Sequence, residues 1–230
     1  MGLKQEIEGE VKSIFKVQWT KRDGTVVPES EDLTLGNEAV ILDGTVLYAD
    51  MSGSTSMVDG YKPYFAAKIY KAYLHCAAKL IRAEGGIITA YDGDRIMGVF
   101  IGKFKNTSAV RCALKTNAAV RNIINPALKV QYPTTDFEVR QVVGIDTSKL
   151  WVTRTGVRGA NDLVWVGRAA NYAAKLTELD SAYPAWITSG VFNQMNDEVK
   201  FTNGKPMWEP MVWKTMNDLS IYRSNWHWNL

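Results

Sequence analysis

Asp50 closes the apolar run Val46-Leu47-Tyr48-Ala49, and Asp94 lies in the turn Asp92-Gly93-Asp94-Arg95 between two β-rich runs, Ile87–Tyr91 and Ile96–Ile101. Carboxylates with few histidines nearby suit hard cations such as Mg²⁺ or Mn²⁺, which take one or two carboxylates and complete their shell with water and substrate phosphates. Directly after Asp50 comes Ser52-Gly53-Ser54-Thr55, a stretch that combines turn and helix N-cap chemistry. Backbone N–H groups at the start of a helix favour an anion, so this segment suits phosphate. Together these features describe a nucleoside triphosphate site with two divalent metals, one serving the attacking oxygen and the other the leaving phosphate. Each aspartate also has a plainer reading. An Asp at a strand end caps helices, and Asp-Gly is common hairpin chemistry, which is how Asp92 is read.

The elements that would position these residues follow from the apolar pattern. Val46–Ala49 reads as a buried central strand. A long amphipathic helix is expected from Thr55 to about Ala83, with Phe65, Ile69, Leu74, Ala77, Ala78 and Ile81 on one face, stopped by Glu84-Gly85-Gly86. The hairpin around Asp92-Gly93 comes next, then a helix from Thr107 to Ile124 ended by Asn125-Pro126. Glu138–Asp146, Leu150–Thr155 and Leu163–Val166 read as three strands, Arg168–Leu179 as a helix, Trp186–Thr188 as a strand with a helix behind it, and Val199–Tyr222 as short strands. The order β-α-ββ-α-β with further C-terminal elements predicts an α+β fold, an α/β sandwich on a ferredoxin-like βαββαβ core with its helices on one face. In that unit the first strand and the hairpin are neighbours, so Asp50 and Asp94 converge at one sheet end. Residues 1–40 read as an N-terminal extension, with a short helix over 6–16 and a hairpin over 17–27 around Arg22-Asp23-Gly24. Residues 41–230 form the main domain.

Composition narrows the function. With 230 residues, 46% hydrophobic and 22% charged, the chain supports a single large globular domain. A net charge of +3 is too mild to argue for nucleic acid, and no nucleic-acid partner is expected. No apolar run reaches the ~18 residues of a membrane span. The start lacks a secretory pattern, and Glu6 stands where a myristoylation motif wants Ser or Thr. Cys76 and Cys112 are too few for a disulfide framework, which fits a reducing cytoplasm. His75, mid-helix, and His227, inside Trp226-His227-Trp228, are not cast as bases.

At these residues the sequence resembles the class III nucleotidyl cyclases. The strand and loop Val46-Leu47-Tyr48-Ala49-Asp50-Met51-Ser52-Gly53-Ser54-Thr55 matches the family's first metal element. Gly93-Asp94 followed by Val99-Phe100 matches its hairpin. Val143-Gly144-Ile145-Asp146-Thr147-Ser148-Lys149-Leu150 partly matches a further strand, and Gly167-Arg168-Ala169-Ala170-Asn171-Tyr172-Ala173-Ala174-Lys175-Leu176 matches its Asn-bearing helix. The matches keep the family's order over roughly residues 44–223. The resemblance implies a homodimer with active sites at the interface. Asp50 and Asp94, helped by the Met51 carbonyl, would bind two divalent cations on one subunit. Asn171 would come from the partner and orient the ribose. Lys175 stands where the family has a transition-state Arg, so the charge is kept and the planar fork is lost.

The same resemblance bears on the base. Adenylate-forming members carry Lys where this chain has Ala90, and Asp or Thr where it has Val164; guanine-reading members carry Glu and Cys there. Neither purine set is present. Ser54 replaces the family's Phe, and Arg168 replaces an acidic or amide residue. These departures resemble the bacterial pyrimidine cyclases of the Pycsar anti-phage systems, which make cyclic UMP or cyclic CMP. The expectation is therefore a cytoplasmic cyclase acting on UTP first and CTP next. Tyr48, Thr89, Ala90, Val164 and Trp165 lie near the base pocket, although core packing would also explain Tyr48 and Trp165. The rival readings are an adenylate or guanylate cyclase, a non-catalytic cyclase-like module that binds nucleotide and dimerises, and a palm-type nucleotidyltransferase, against which the Asn171 helix speaks.

Overall fold

The computed structural model describes residues 2–230, and Met1 lies outside the described residues. Its centre is a sheet built on β2 (Glu38–Ser52) and β5 (Arg140–Val157), which pair antiparallel from Val40↔Val152 to Ser52↔Arg140. On the other side of β2 run β4 (Arg95–Ile101) and then β3 (Ile87–Asp92), both antiparallel. The order β5-β2-β4-β3 is the ferredoxin-like core. β7 (Ala185–Thr188) adds parallel to β5, and β11 (Leu219–Ser224) and β10 (Glu209–Trp213) extend that edge. β6 (Ala160–Val166) folds back on the far end of β5 as a hairpin arm, and β8 (Phe201–Thr202) pairs with β9 (Lys205–Pro206) apart from the sheet.

Alternation along β2 sends neighbouring side chains to opposite faces. Leu47, Ala49 and Met51 enter the larger core with Ile96, Phe100, Val143 and Ile145, under α3 (Pro63–Ala83), α4 (Lys105–Ala119) and α7 (Ser189–Gln194). Val46 enters a second core with Met97, Val99, Leu150, Ala169, Ala170 and Ala173 under α6 (Arg168–Leu176). Helices therefore cover both faces, correcting the one-face expectation. Burial on both sides is also why Val46-Leu47 reads as a continuous apolar run rather than an alternation.

Other local expectations change for identifiable reasons. The helix expected over 55–83 is two: α2 (Ser54–Gly60) and α3, separated where Tyr61-Lys62 precede Pro63 at the first turn of α3. Pro126 does not end its helix. A π-helical turn over Val120–Ile124 joins α4 to α5 (Asn125–Gln131), whose first turn accepts the proline. The strands expected over 138–146 and 150–155 are one, because β5 pairs with β2 without a break. The hairpin over 17–27 is absent. β1 (Thr20–Asp23) pairs parallel to Glu38–Ile41, and Gly24 is a close approach, since a Cβ there would come 2.4 Å from Val40 Cγ1. Leu33 is buried with Val40, Leu42 and Val152, so the chain before β2 packs on the sheet. α1 (Leu3–Lys16) lies exposed along its whole length, its end held by the Asn37 side chain, which donates to the Ile14 and Val17 carbonyls at 2.7 Å each. No helix among the described residues is long and apolar enough to cross a membrane.

Candidate active site

Register places the two aspartates. Asp50 stands opposite Arg95 at the last pair of the β2–β4 ladder, and Asp94 is the residue before Arg95 in the two-residue turn of the β3–β4 hairpin. Gly93 opens that turn at φ +62°, where its missing Cβ removes the strain of positive φ. Asp50 is half-buried, and burial together with the neighbouring Asp94 charge pushes its carboxyl above the ordinary carboxylate range. Arg95, the Thr177 hydroxyl (3.3 Å) and the Met51 backbone N–H oppose that rise. Arg95 is itself engaged: Nη2 lies 2.7 Å from Asp92 Oδ2, and its guanidinium sits 5.4 Å from the Tyr48 ring centroid. Beneath the pair, on α3, Tyr73 is fully buried with its hydroxyl unpaired, and the charges of Asp50 and Asp94 help to hold its pKa well above the usual phenol value after burial itself.

This donor set fits a hard divalent cation. Two carboxylates of like charge stand near one another, and the Asp94 charge helps to disfavour the ionised form of Asp50, an arrangement a cation relieves. No cluster of three or more His, Cys, Asp or Glu side chains occurs among the described residues, so substrate oxygens and water would have to complete the shell. Ser52 ends β2. Gly53 at φ +74° caps α2, and Ser54 and Thr55 form its first turn, whose amides lack intrahelical acceptors. The candidate phosphate segment therefore begins two residues from Asp50.

The structure does not bring Asn171 and Lys175 to the Asp50 of their own chain. α6 runs back over the sheet from the hairpin arm. Its start is pinned where Ala169 N–H donates to Ser148 Oγ at 3.0 Å, and its end lies at Thr177 beside Asp50. Ala169, Ala170, Ala173 and Leu176 face the sheet, while Asn171 and Lys175 are exposed on the opposite side. The seating is tight, since a Cβ on Gly144 would lie 2.1 Å from the Ala173 carbonyl oxygen. Asn171 is six residues from Thr177, about 9 Å along the axis.

The base-pocket candidates divide. Tyr48, Ala90 and Trp165 pack against the α6-side cluster. Thr89 falls at the irregularity between Ile88 and Ala90 in the β3–β4 ladder, with its hydroxyl buried and unpaired, and the Trp165 indole N–H is likewise unpaired. Val164 is exposed on the outward side of β6. Trp165 pairs with Val152, whereas Asp50 opposes Val142, so ten residues of β5, about 33 Å, separate them within one chain.

Arg168 has a structural task. It holds the fully buried Asp146 with Nε–Oδ2 at 3.0 Å and Nη2–Oδ1 at 3.1 Å, and donates to the Thr147 carbonyl at 2.9 Å. The Thr188 hydroxyl also donates to Asp146. Arg168→Ala strands a buried carboxylate and is expected to cost about 3 kcal/mol. Adding Asp146→Asn should recover much of that loss, measured by urea unfolding. Equal stability of Arg168→Ala and wild type would remove the clamp.

Reading the residues in order misses Arg95, Thr177 and Tyr73. Arg95 had a signal, its place next to Asp94 opposite Asp50. Tyr73 lies one turn beyond Ile69, so its burial was legible but its unpaired hydroxyl was not. Thr177 had none, because its contact with Asp50 exists only once α6 is docked.

This architecture is the class III nucleotidyl cyclase catalytic domain. The solved structure of the guanylyl cyclase Cya2 superimposes with a TM-score of 0.69 at 21% identity, over 82% of this chain and 94% of that one. No protein-family model matches. The uridylate cyclase of Xanthomonas perforans is 54% identical over 231 residues, and that of Burkholderia cepacia 52% identical over 232, each match covering 100% of both chains. The chain belongs to this family of uridylate cyclases.

Proposed function

We propose that this protein converts UTP to 3′,5′-cyclic UMP and pyrophosphate, with CTP the next-best substrate, and that it works as a homodimer with two shared active sites. The observation that carries the reading is the full-length similarity to two uridylate cyclases, joined to a carboxylate pair converging beside a phosphate-suited loop. Production of a cyclic pyrimidine messenger in anti-phage defence follows from the same family resemblance.

In this reading Asp50 and Asp94, with the Met51 carbonyl, would hold two Mg²⁺ or Mn²⁺ ions. When bound, these supply positive charge at the attacking 3′-oxygen and the leaving pyrophosphate. The amides of Ser52–Thr55 hold phosphate oxygens. Asn171 of the second chain orients the ribose, so that the 3′-oxygen attacks its own α-phosphorus in line, and Lys175 of that chain stabilises the charge that develops there. The outward placement of Asn171 and Lys175 supports the two-chain arrangement, since neither faces Asp50 of its own chain. Ala90 and Val164 lack the polar groups a purine needs. Thr89 and Trp165 offer unpaired buried polar atoms that a small carbonyl-rich base such as uracil can complete.

Incubation of the purified protein with each of four labelled triphosphates and Mn²⁺ tests this. Cyclic UMP should dominate, with CTP a minor substrate. A purine cyclic nucleotide as the main product refutes the base assignment. Binding without turnover favours the non-catalytic module, and a polymer or dinucleotide favours a nucleotidyltransferase.

A further inference from the structure

We propose that Thr177 is a positioning residue that ties the metal carboxylate of one active site to the helix serving the other. The inference rests on the two-chain reading above and goes beyond it, because a shared-site dimer does not require its two sites to be mechanically linked. Thr177 directly follows α6 and is 6% exposed. It brings a hydroxyl to a face otherwise formed by Ala169, Ala170, Ala173 and Leu176. That hydroxyl has one proton and two acceptors in reach, the Ala174 carbonyl at 2.7 Å and Asp50 Oδ2 at 3.3 Å. One acceptor belongs to the last turn of α6 and the other is the candidate metal ligand of the same chain.

On the same helix, Asn171 and Lys175 face outward, toward the site whose carboxylates belong to the second chain. The path from Thr177 to these residues is stiff. Ala173 sits on Gly144 with no room for a methyl group, and the start of α6 is fixed by the Ser148 bond to Ala169 and the Arg168–Asp146 clamp. A helix held at both ends transmits a small displacement rather than absorbing it. Whatever orients Asp50 in its own site therefore also sets the depth at which Asn171 and Lys175 enter the neighbouring site.

Mixed dimers separate this from a local role. Asp94→Ala chains mixed with Asn171→Ala chains form heterodimers in which one composite site is intact, its two carboxylates from the Asn171→Ala chain and its Asn171 from the Asp94→Ala chain, while Asp50 is kept on both chains. Thr177→Val is then placed on either chain alone. The strap predicts a loss of about fivefold in kcat from each placement. It also predicts a raised half-saturating Mn²⁺ concentration when the change is on the chain supplying the two carboxylates, and a raised KM for UTP when it is on the chain supplying Asn171. Thr177→Ser, which keeps the hydroxyl, should restore both values to within about twofold. Thermal unfolding of each homodimer verifies that the isosteric change leaves the fold intact. A loss confined to one placement, or none in either, overturns the strap. A mixture inactive even with Thr177 intact on both chains refutes the shared site itself, and the strap with it.

Discussion

Asp50→Ala is expected to lower cyclic nucleotide formation by about 10³-fold or more while leaving the protein folded, and Asp94→Ala should do the same. The reaction asks no side chain for covalent chemistry, so its rate rests on charge and placement, and in the proposed reading these two carboxylates would anchor that charge. The stability side has a definite sign. Asp50 is half-buried, and burial and Asp94 raise its pKa, so its ionised form is disfavoured in the metal-free fold. Such a group binds its proton more tightly folded than unfolded. Its contribution to stability is present below the ordinary carboxylate pKa and is lost as pH rises through the raised value. Metal-free Asp50→Ala should therefore be at least as stable as wild type at neutral pH and should lack that decline. Mn²⁺ is expected to raise the melting temperature of wild type by mass action, through binding the folded state, and that rise should disappear in either variant. An active Asp50→Ala enzyme, or an undiminished Mn²⁺ shift, would sink the metal assignment.

Asn171→Ala should also lose most activity, and mixing it with inactive Asp94→Ala, which keeps Asp50 and its Thr177 contact, should restore about a quarter of the wild-type rate. Random exchange makes about half of the dimers mixed, and each mixed dimer has one intact site of two. The geometry makes the sign of this test unambiguous. Asn171 is exposed on the face of α6 turned away from the sheet, while Asp50 lies under the other end of that helix. A single-chain site would leave the mixture inactive even where native mass spectrometry shows heterodimers. Asn171→Ala with unchanged kcat and KM would remove the residue from the site.

Much of the candidate site was legible in the order of residues. Asp50 after an apolar run, a Gly-Asp hairpin about forty residues on, and Asn171 and Lys175 four apart on a helix are local patterns set by strand burial, turn geometry and helical pitch. Those rules act over a few residues, so short segments carry them. The same locality explains the errors. Pro126 looked like a stop because a proline ends a helix that has no alternative, and here a π-helical turn followed by a fresh first turn supplies one. Arg22-Asp23-Gly24 looked like a hairpin, and only the approach of Val40 and Leu42 to Gly24 makes it the end of a parallel edge strand.

By itself, the sequence determined which residues could carry the chemistry and the ferredoxin-like order of the elements; that Ala90 and Val164 stand where purine readers would is implied only by the family resemblance. The tertiary structure alone decided that α6 crosses to the second face of the sheet, that it turns Asn171 and Lys175 away from their own Asp50, and that Thr177 meets that aspartate. The physical reason is that a side chain's type is a property of one residue, whereas its direction depends on which face of the sheet its helix buries. That face is selected by the summed packing of distant residues, here Gly144 against Ala173 and Asp146 against Arg168.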